Sequence, residues 1–457
     1  MNVDELASWD GVETAERIAR GDVSAKEVLE AAIKRAEGRT GLGAIVTPTF
    51  DRARGMAGTT RGPFAGVPSA IKDLAQLAGV RTGFGSRGGA AAPAPKSDPW
   101  VKTYESLGFL SLGKSATPEL GLTATTEPLG FEPTRNPWDT TRSTGGSSGG
   151  AAALVSSGVV PLAHASDGGG SIRIPAAACG LVGLKPTRGR FDMEGSNLLP
   201  VNVAVHGAVT RTVRDTIAFW DGVSKAVPRE MPSMIPTVKA PAAALRIGFY
   251  AATPKGTPVE PEYVEAVKSV AKKLESLGHA VFEIENPIDA QFADDFTAYW
   301  GFVAYSQSRT MAALAQKGFQ KSQLDPWTEG LAQYFWKARI KGLQSTWRLR
   351  NFHQRFFPLF ERYDVLLSPV LAHTPPTLGH LAPGVEWNEQ LSRLTAWVPF
   401  TQVYNVTGAP AISLPLARTS AGMPIGLQFG TKRGGERLLL ELALQLEEAM
   451  PWPKIAP

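Results

Sequence analysis

The chain has 457 residues, 43% of them apolar and 19% charged, with a formal net charge of +5. This composition excludes a fibrous or disordered chain, and Lys and Arg are scattered rather than blocked among aromatics, so nucleic-acid binding has no support. The single cysteine excludes an internal disulfide. Together with an acidic start (Met1 to Glu5) and no apolar run of the ~18–20 residues a bilayer span needs, it leads us to expect a cytoplasmic protein without membrane contact.

A first helix is predicted near Val12–Ala19, ending at Gly21. Ser24-Ala25-Lys26-Glu27 reads as a capping box opening a second helix to about Ala36, with Val28, Leu29, Ala32 and Ile33 on one face. Ala44–Thr47 is a candidate strand, and Gly66–Lys72 an apolar strand that ends on a lysine. Val80–Arg87 is a glycine-containing loop expected near a site. Asp98–Leu107 reads as helix, Leu110–Gly113 as strand, and Thr117–Gly121 as a turn starting a helix.

Ser143 to Arg190 holds the densest chemistry. Gly145-Gly146-Ser147-Ser148-Gly149-Gly150 and Asp167-Gly168-Gly169-Gly170-Ser171-Ile172-Arg173 bracket Ala151–Leu162, which reads as a buried helix followed by a strand, Val159–Ala163. Successive N–H groups in a glycine-rich turn can converge on one anion, and each good oxyanion donor is worth about 3–4 kcal/mol. Ser171 closes such a turn and is a candidate nucleophile, which needs a base. The chain has six histidines, and the nearby His164 reads as a satisfied structural residue. Lys72 is the other option: a base if burial lowers its pKa, a surface strand-end lysine otherwise. A phosphate loop is excluded, because no lysine follows the first glycine run as that motif requires.

Beyond it, Thr210–Gly222 reads as helix, Val227–Pro241 as a proline-rich linker, Leu245–Tyr250 as strand, Tyr263–Leu277 as an amphipathic helix and Ala280–Ile284 as strand. The alternation supports a mixed or parallel sheet with helices on both faces. Asp289–Arg362 is predicted mostly helical and is rich in aromatics, including Phe296, Trp300, Trp327 and Trp347, which read as core with some capping a pocket. Val365–Ser368 is a further strand, and Glu436–Met450 a closing helix.

GGSSGG, then SDxGGSIRxPA ending its glycine run on Ser171, then GLKPTRGR, with GVPxxIKD upstream, together resemble the amidase signature family. The resemblance covers nearly the whole chain and is weakest over Asp289–Arg362. It implies an α/β fold, a large mixed twisted β-sheet with helices on both faces, in one amidase domain over residues 1–457. It further implies a serine hydrolase that cleaves amide bonds through an acyl-enzyme, with no cofactor and no metal. By that likeness Ser171 is the nucleophile, Ser147 sits on a cis peptide and passes a proton, and Lys72 is the base. Gly168, Gly169, Gly170 and Ser171 form the oxyanion hole, Asp167 and Arg173 hold the turn, and Ser148 supports the relay. Gly168 departs from the family, which often carries a larger residue there. Leu122 and Thr123 are substrate-pocket candidates, Thr144 and Cys179 are structural, and Trp138 packs beneath the first glycine run. The implied substrate is a small amide or carbamate, with anilides and small esters also open, in the manner of the family's nylon-oligomer and urethane hydrolases. The implied assembly is a monomer or homodimer. The alternative is the glutaminase-type component of a tRNA-dependent amidotransferase. That would need a partner and a polar pocket, and the apolar Leu122 and the aromatic helical region weigh against it.

Overall fold

A computed structural model describes residues 3–89, 92–241, 243–310, 319–337 and 339–457. Local signals act as expected at the N-terminal end. The helix Gly11–Arg20 stops at Gly21, whose φ of +78° suits a residue without Cβ. Ser24 and Glu27 bond reciprocally to open the helix Ala25–Gly38.

Among the described residues thirteen strands follow in chain order: β1 Ile45–Pro48, β2 Pro68–Lys72, β3 Leu110–Ser115, β4 Arg135–Asn136, β5 Asp139–Ser143, β6 Leu162–Asp167, β7 Val182–Lys185, β8 Val205–Thr210, β9 Arg246–Phe249, β10 Ala280–Glu283, β11 Val365–Pro369, β12 Ala411–Arg418 and β13 Pro424–Gly430. Eight of them form one mixed sheet in the order β10-β9-β11-β13-β12-β7-β8-β6. β9 pairs in parallel with β10 and β11, and the remaining neighbours are antiparallel. Successive side chains of a strand point to opposite faces, yet β6, β7, β8, β11 and β13 are buried along their whole length, so both faces of the sheet are covered. One apolar cluster runs from Leu29 to Trp452.

β1, β3 and β2 form a small second sheet. It lies against edge strand β6, where Ser69 Oγ donates to Leu162 O at 2.9 Å and Lys72 N–H to His164 Nδ1 at 3.2 Å. This junction brings the end of β2 beside the glycine loops.

Some boundaries differ from expectation for identifiable reasons. The strand expected at Val159–Ala163 begins only at Leu162, because Pro161 has no N–H to give a neighbouring strand, and it runs on to Asp167. The helix expected from Thr210 starts at Val213, since Thr210 still pairs in β8 and Thr212 caps the helix by accepting from Asp215 N–H at 3.1 Å. Thr117–Gly121 gives only a single 3₁₀ turn, Glu119–Gly121. The stretch 289–362 is helical over Ala290–Thr310, Pro326–Lys337, Arg339–Asn351, His353–Phe356 and Leu359–Arg362, with 311–318 and 338 outside the described residues.

Candidate active site

Lys72 ends β2 and is fully buried. Its Nζ lies 2.8 Å from Ser147 Oγ, 2.8 Å from Ser148 Oγ and 3.0 Å from Ser166 Oγ. No carboxylate forms an ion pair with it among the described residues. Burial lowers its pKa to about 7, only partly opposed by the charge of Asp167. A neutral amine has two N–H bonds and one lone pair, so three hydroxyl contacts suit it if one hydroxyl donates to nitrogen. That is the state a proton acceptor requires.

Ser147 and Ser148 stand between β5 and the helix Gly149–Ser156, and the Gly146–Ser147 peptide is cis. Ser148 Oγ also accepts from Ser166 N–H at 3.3 Å, tying the first glycine run to the end of β6.

The second run is shaped by Asp167. Its carboxylate accepts Gly170 N–H at 2.7 Å and Ile172 N–H at 3.2 Å, and receives Arg173 through Nε at 3.0 Å and Nη2 at 3.1 Å. Burial alone would raise its pKa, but Arg173 and Asn405 hold it down at about 2. Arg173, also fully buried, donates onward to Thr401 O, Gln428 Oε1 and Asn405 Oδ1. No sequence pattern points to Thr401, Asn405 or Gln428 as partners, because they lie more than two hundred residues away. Gly170 has φ of +130°, and a Cβ there would meet Thr401 Oγ1 at 2.4 Å, so only glycine fits.

One sequence expectation is corrected by this network. The Gly170 N–H faces the Asp167 carboxylate, so it shapes the turn instead of adding a fourth donor to the nest. The N–H groups of Gly168, Gly169 and Ser171 have no acceptor among the described residues. Ser171 is 8% exposed and lines a cavity. No hydrogen bond joins its Oγ to Ser147 among the described residues.

Leu122 and Thr123 line this cavity, and the aromatics that join them are Phe296, Trp300 and Trp327. Trp300 and Trp327 both donate their indole N–H to Leu122 O, at 2.9 and 3.0 Å. The helices Ala290–Thr310 and Pro326–Lys337 are thereby fastened to the pocket wall. No sequence pattern could single out these indoles, since their shared acceptor is a main-chain carbonyl.

Elsewhere the residues read as structural take structural places. His164 is buried, accepting Lys72 N–H at Nδ1 and meeting His206 Nδ1 at 3.2 Å through Nε2. His206 in turn meets Glu194 Oε2 at 3.0 Å. Cys179 is fully buried, and burial pushes its thiol pKa up, away from reactivity. Trp138 donates to Cys179 O at 2.9 Å and lies against Gly180. Sequence reading missed Lys114, which forms a buried ion pair with Asp73 at 3.0 Å beside Lys72. Asp73 also takes Gly83 N–H at 2.9 Å, which anchors the Val80–Arg87 loop here. Lys114 could be found only through the parallel pairing of β2 with β3.

A buried amine among hydroxyls, beside a serine at a turn with free N–H donors, is the equipment of acyl transfer. The family model for amidases matches residues 27–440, and the chain belongs to that family. It is an amidase signature enzyme, one that cleaves amide bonds. A Mycobacterium tuberculosis protein named as amidase AmiC is 41% identical over 99% of this chain and 97% of its own length. The 6-aminohexanoate-cyclic-dimer hydrolase of Paenarthrobacter ureafaciens is 34% identical over 97% of this chain and 95% of its own. The structure of a 6-aminohexanoate cyclic dimer hydrolase with its substrate superposes with a TM-score of 0.89 at 31% identity, covering 98% of both chains. A bacterial aryl acylamidase of the amidase signature family superposes at 0.84 with 26% identity, over 97% of this chain and 96% of that one. No helix of the described residues is long and apolar enough to cross a membrane.

Proposed function

We propose that the chain hydrolyses neutral, apolar carboxamides through a Ser171–Ser147–Lys72 relay and an acyl-enzyme on Ser171. Neutral Lys72 takes a proton from Ser147, Ser147 takes one from Ser171, and Ser171 Oγ attacks the amide carbon. The carbonyl oxygen becomes an oxyanion facing the N–H groups of Gly168, Gly169 and Ser171. The proton returns along the relay to the leaving nitrogen, and water then releases the acyl group by the same route. Asp167 and Arg173 fix the nest, and Ser148 and Ser166 orient the amine. The reading rests on one observation above the rest: a fully buried Lys72, lowered to about 7, within 2.8 Å of Ser147 Oγ. The largely apolar wall of Leu122, Phe296, Trp300 and Trp327 supports an apolar substrate. Anilides, carbamates and small esters fall within the same acyl chemistry. The resemblance to enzymes named for aryl acylamides and for a cyclic aminohexanoate dimer supports amides larger than acetamide.

The experiment is a panel of chromogenic anilides, carbamates and esters with the wild type, Ser171→Ala and Lys72→Ala. Ser171→Ala is expected to abolish turnover of all of them. Lys72→Ala should slow anilides far more than activated esters, whose leaving groups need no proton. Equal losses on both classes would remove Lys72 from the relay.

A further inference from the structure

We infer that the catalytic pocket is the inner of two joined chambers, and that the outer one receives the far end of a long, linear, apolar amide. This rests on the reading of Ser171 as the reacting centre given above.

The inner chamber holds Ser171. A second cavity lies against it and shares five of its walls: Phe296, Thr297, Thr395, Val398 and Gln402. These residues form the neck. Beyond it the outer chamber is lined by Phe292, Ala293 and Pro399, and it ends at Pro254, Lys255 and Thr257. Two of the neck's polar side chains are occupied locally: Thr297 Oγ1 donates to Ala293 O and Thr395 Oγ1 to Leu391 O, both at 2.9 Å. Gln402 Nε2 donates to Val398 O, while its Oε1 accepts no hydrogen bond among the described residues. Lys255 at the rim is ion-paired with Asp294. The passage is therefore mainly hydrocarbon, with the hydroxyl and amide donors of its neck already spent on main-chain carbonyls, which suits an alkyl or aryl-alkyl chain better than a charged one.

Phe296 stands where the chambers meet, and its place depends on the glycine nest. It stacks on Trp300 with centroids 5.6 Å apart and planes 18° from parallel. A Cβ at Gly169 would lie 3.2 Å from Phe296 Cζ, and one at Gly168 would lie 3.2 Å from Trp300 Cη2. The aromatic wall thus rests directly on the nest backbone. This gives Gly168 a physical reason: a larger residue would push the wall outward and narrow the neck.

The test reads binding, so that it stands apart from turnover. In a Ser171→Ala background, dissociation constants are measured by calorimetry for two series: primary alkanamides from acetamide to decanamide, and N-alkylacetamides from N-methyl to N-decyl. One series extends the acyl side, the other the amine side. Affinity is expected to rise about fourfold per methylene along one series. Ala293→Trp, which fills the outer chamber, should cancel the gain for the longer members, lowering the decyl-to-methyl affinity ratio at least tenfold. Thr257→Trp at the rim is the second plug, used if thermal melting shows Ala293→Trp to be unfolded. No gain with length in either series, or a gain that survives the folded plug, would overturn the outer chamber. Length-dependent binding of an amide that the wild type does not hydrolyse would instead overturn the relay and leave the chamber standing.

Discussion

In the relay proposed above, reactivity depends on which protonation state of Lys72 is present. Burial favours the neutral amine and lowers the pKa to about 7, so above that value the proposed base would be available. Below it Lys72 carries a proton and cannot accept one, and kcat/KM for amides should fall about tenfold per pH unit, levelling off above neutrality. A profile flat from pH 5 to 8 would sink the assignment. Gly168 and Trp300 allow a second measurement at this scale. Gly168→Ala places a methyl 3.2 Å from Trp300 Cη2, and kcat/KM should drop severalfold. Trp300→Leu in the same chain should recover part of the loss, a coupling of about 1 kcal/mol in a double-mutant cycle. Strict additivity would mean that the indole does not press on the nest.

The elements that carry the site were legible to different degrees. GGSSGG, the SDGGGSIR turn and IKD each announce a local backbone need or a chemical group, and the motif residues lie where the chain reads as loop or strand end. Lys72 and Ser147 come together because β2 lies against β6, and that juxtaposition follows from tertiary packing that no local pattern contains. The same holds for Arg173, whose partners Thr401, Asn405 and Gln428 come from the far end of the chain. Arg173→Ala would leave Asp167 as an unpaired buried charge, and the expected destabilisation is about 3–5 kcal/mol in urea unfolding. His164 reads from sequence as merely satisfied, but its Nδ1 holds the main chain of Lys72 itself. His164→Leu removes that acceptor and should cost about 1–3 kcal/mol, with a fall in kcat on amides. His164→Asn, whose Oδ1 falls near the lost Nδ1, should restore both; if leucine and asparagine behave alike, the Lys72 N–H contact is idle.

Over the whole molecule, distant segments meet at one cavity. The glycine nest brings Ser171, the 3₁₀ turn brings Leu122, the aromatic helices bring Phe296, Trp300 and Trp327, and the segment before β12 brings Gln402. None of the described side chains lining the inner chamber is charged. This bears directly on the amidotransferase reading, to which the fold alone gives some room: a glutamyl-tRNA(Gln) amidotransferase chain from Thermotoga maritima superposes with a TM-score of 0.74 at 25% identity. Glutamine presents an ammonium and a carboxylate. Moving them from water into this cavity without paired charges costs several kcal/mol, and about 4 kcal/mol corresponds to a thousandfold in kcat/KM. Ammonia release from glutamine by the purified chain should therefore run at least about a thousandfold below hydrolysis of an apolar amide of similar size. If glutamine proved the better substrate, with or without an added partner protein, charged groups would have to enter the pocket by a rearrangement of the aromatic helices, and the apolar-amide assignment would fall.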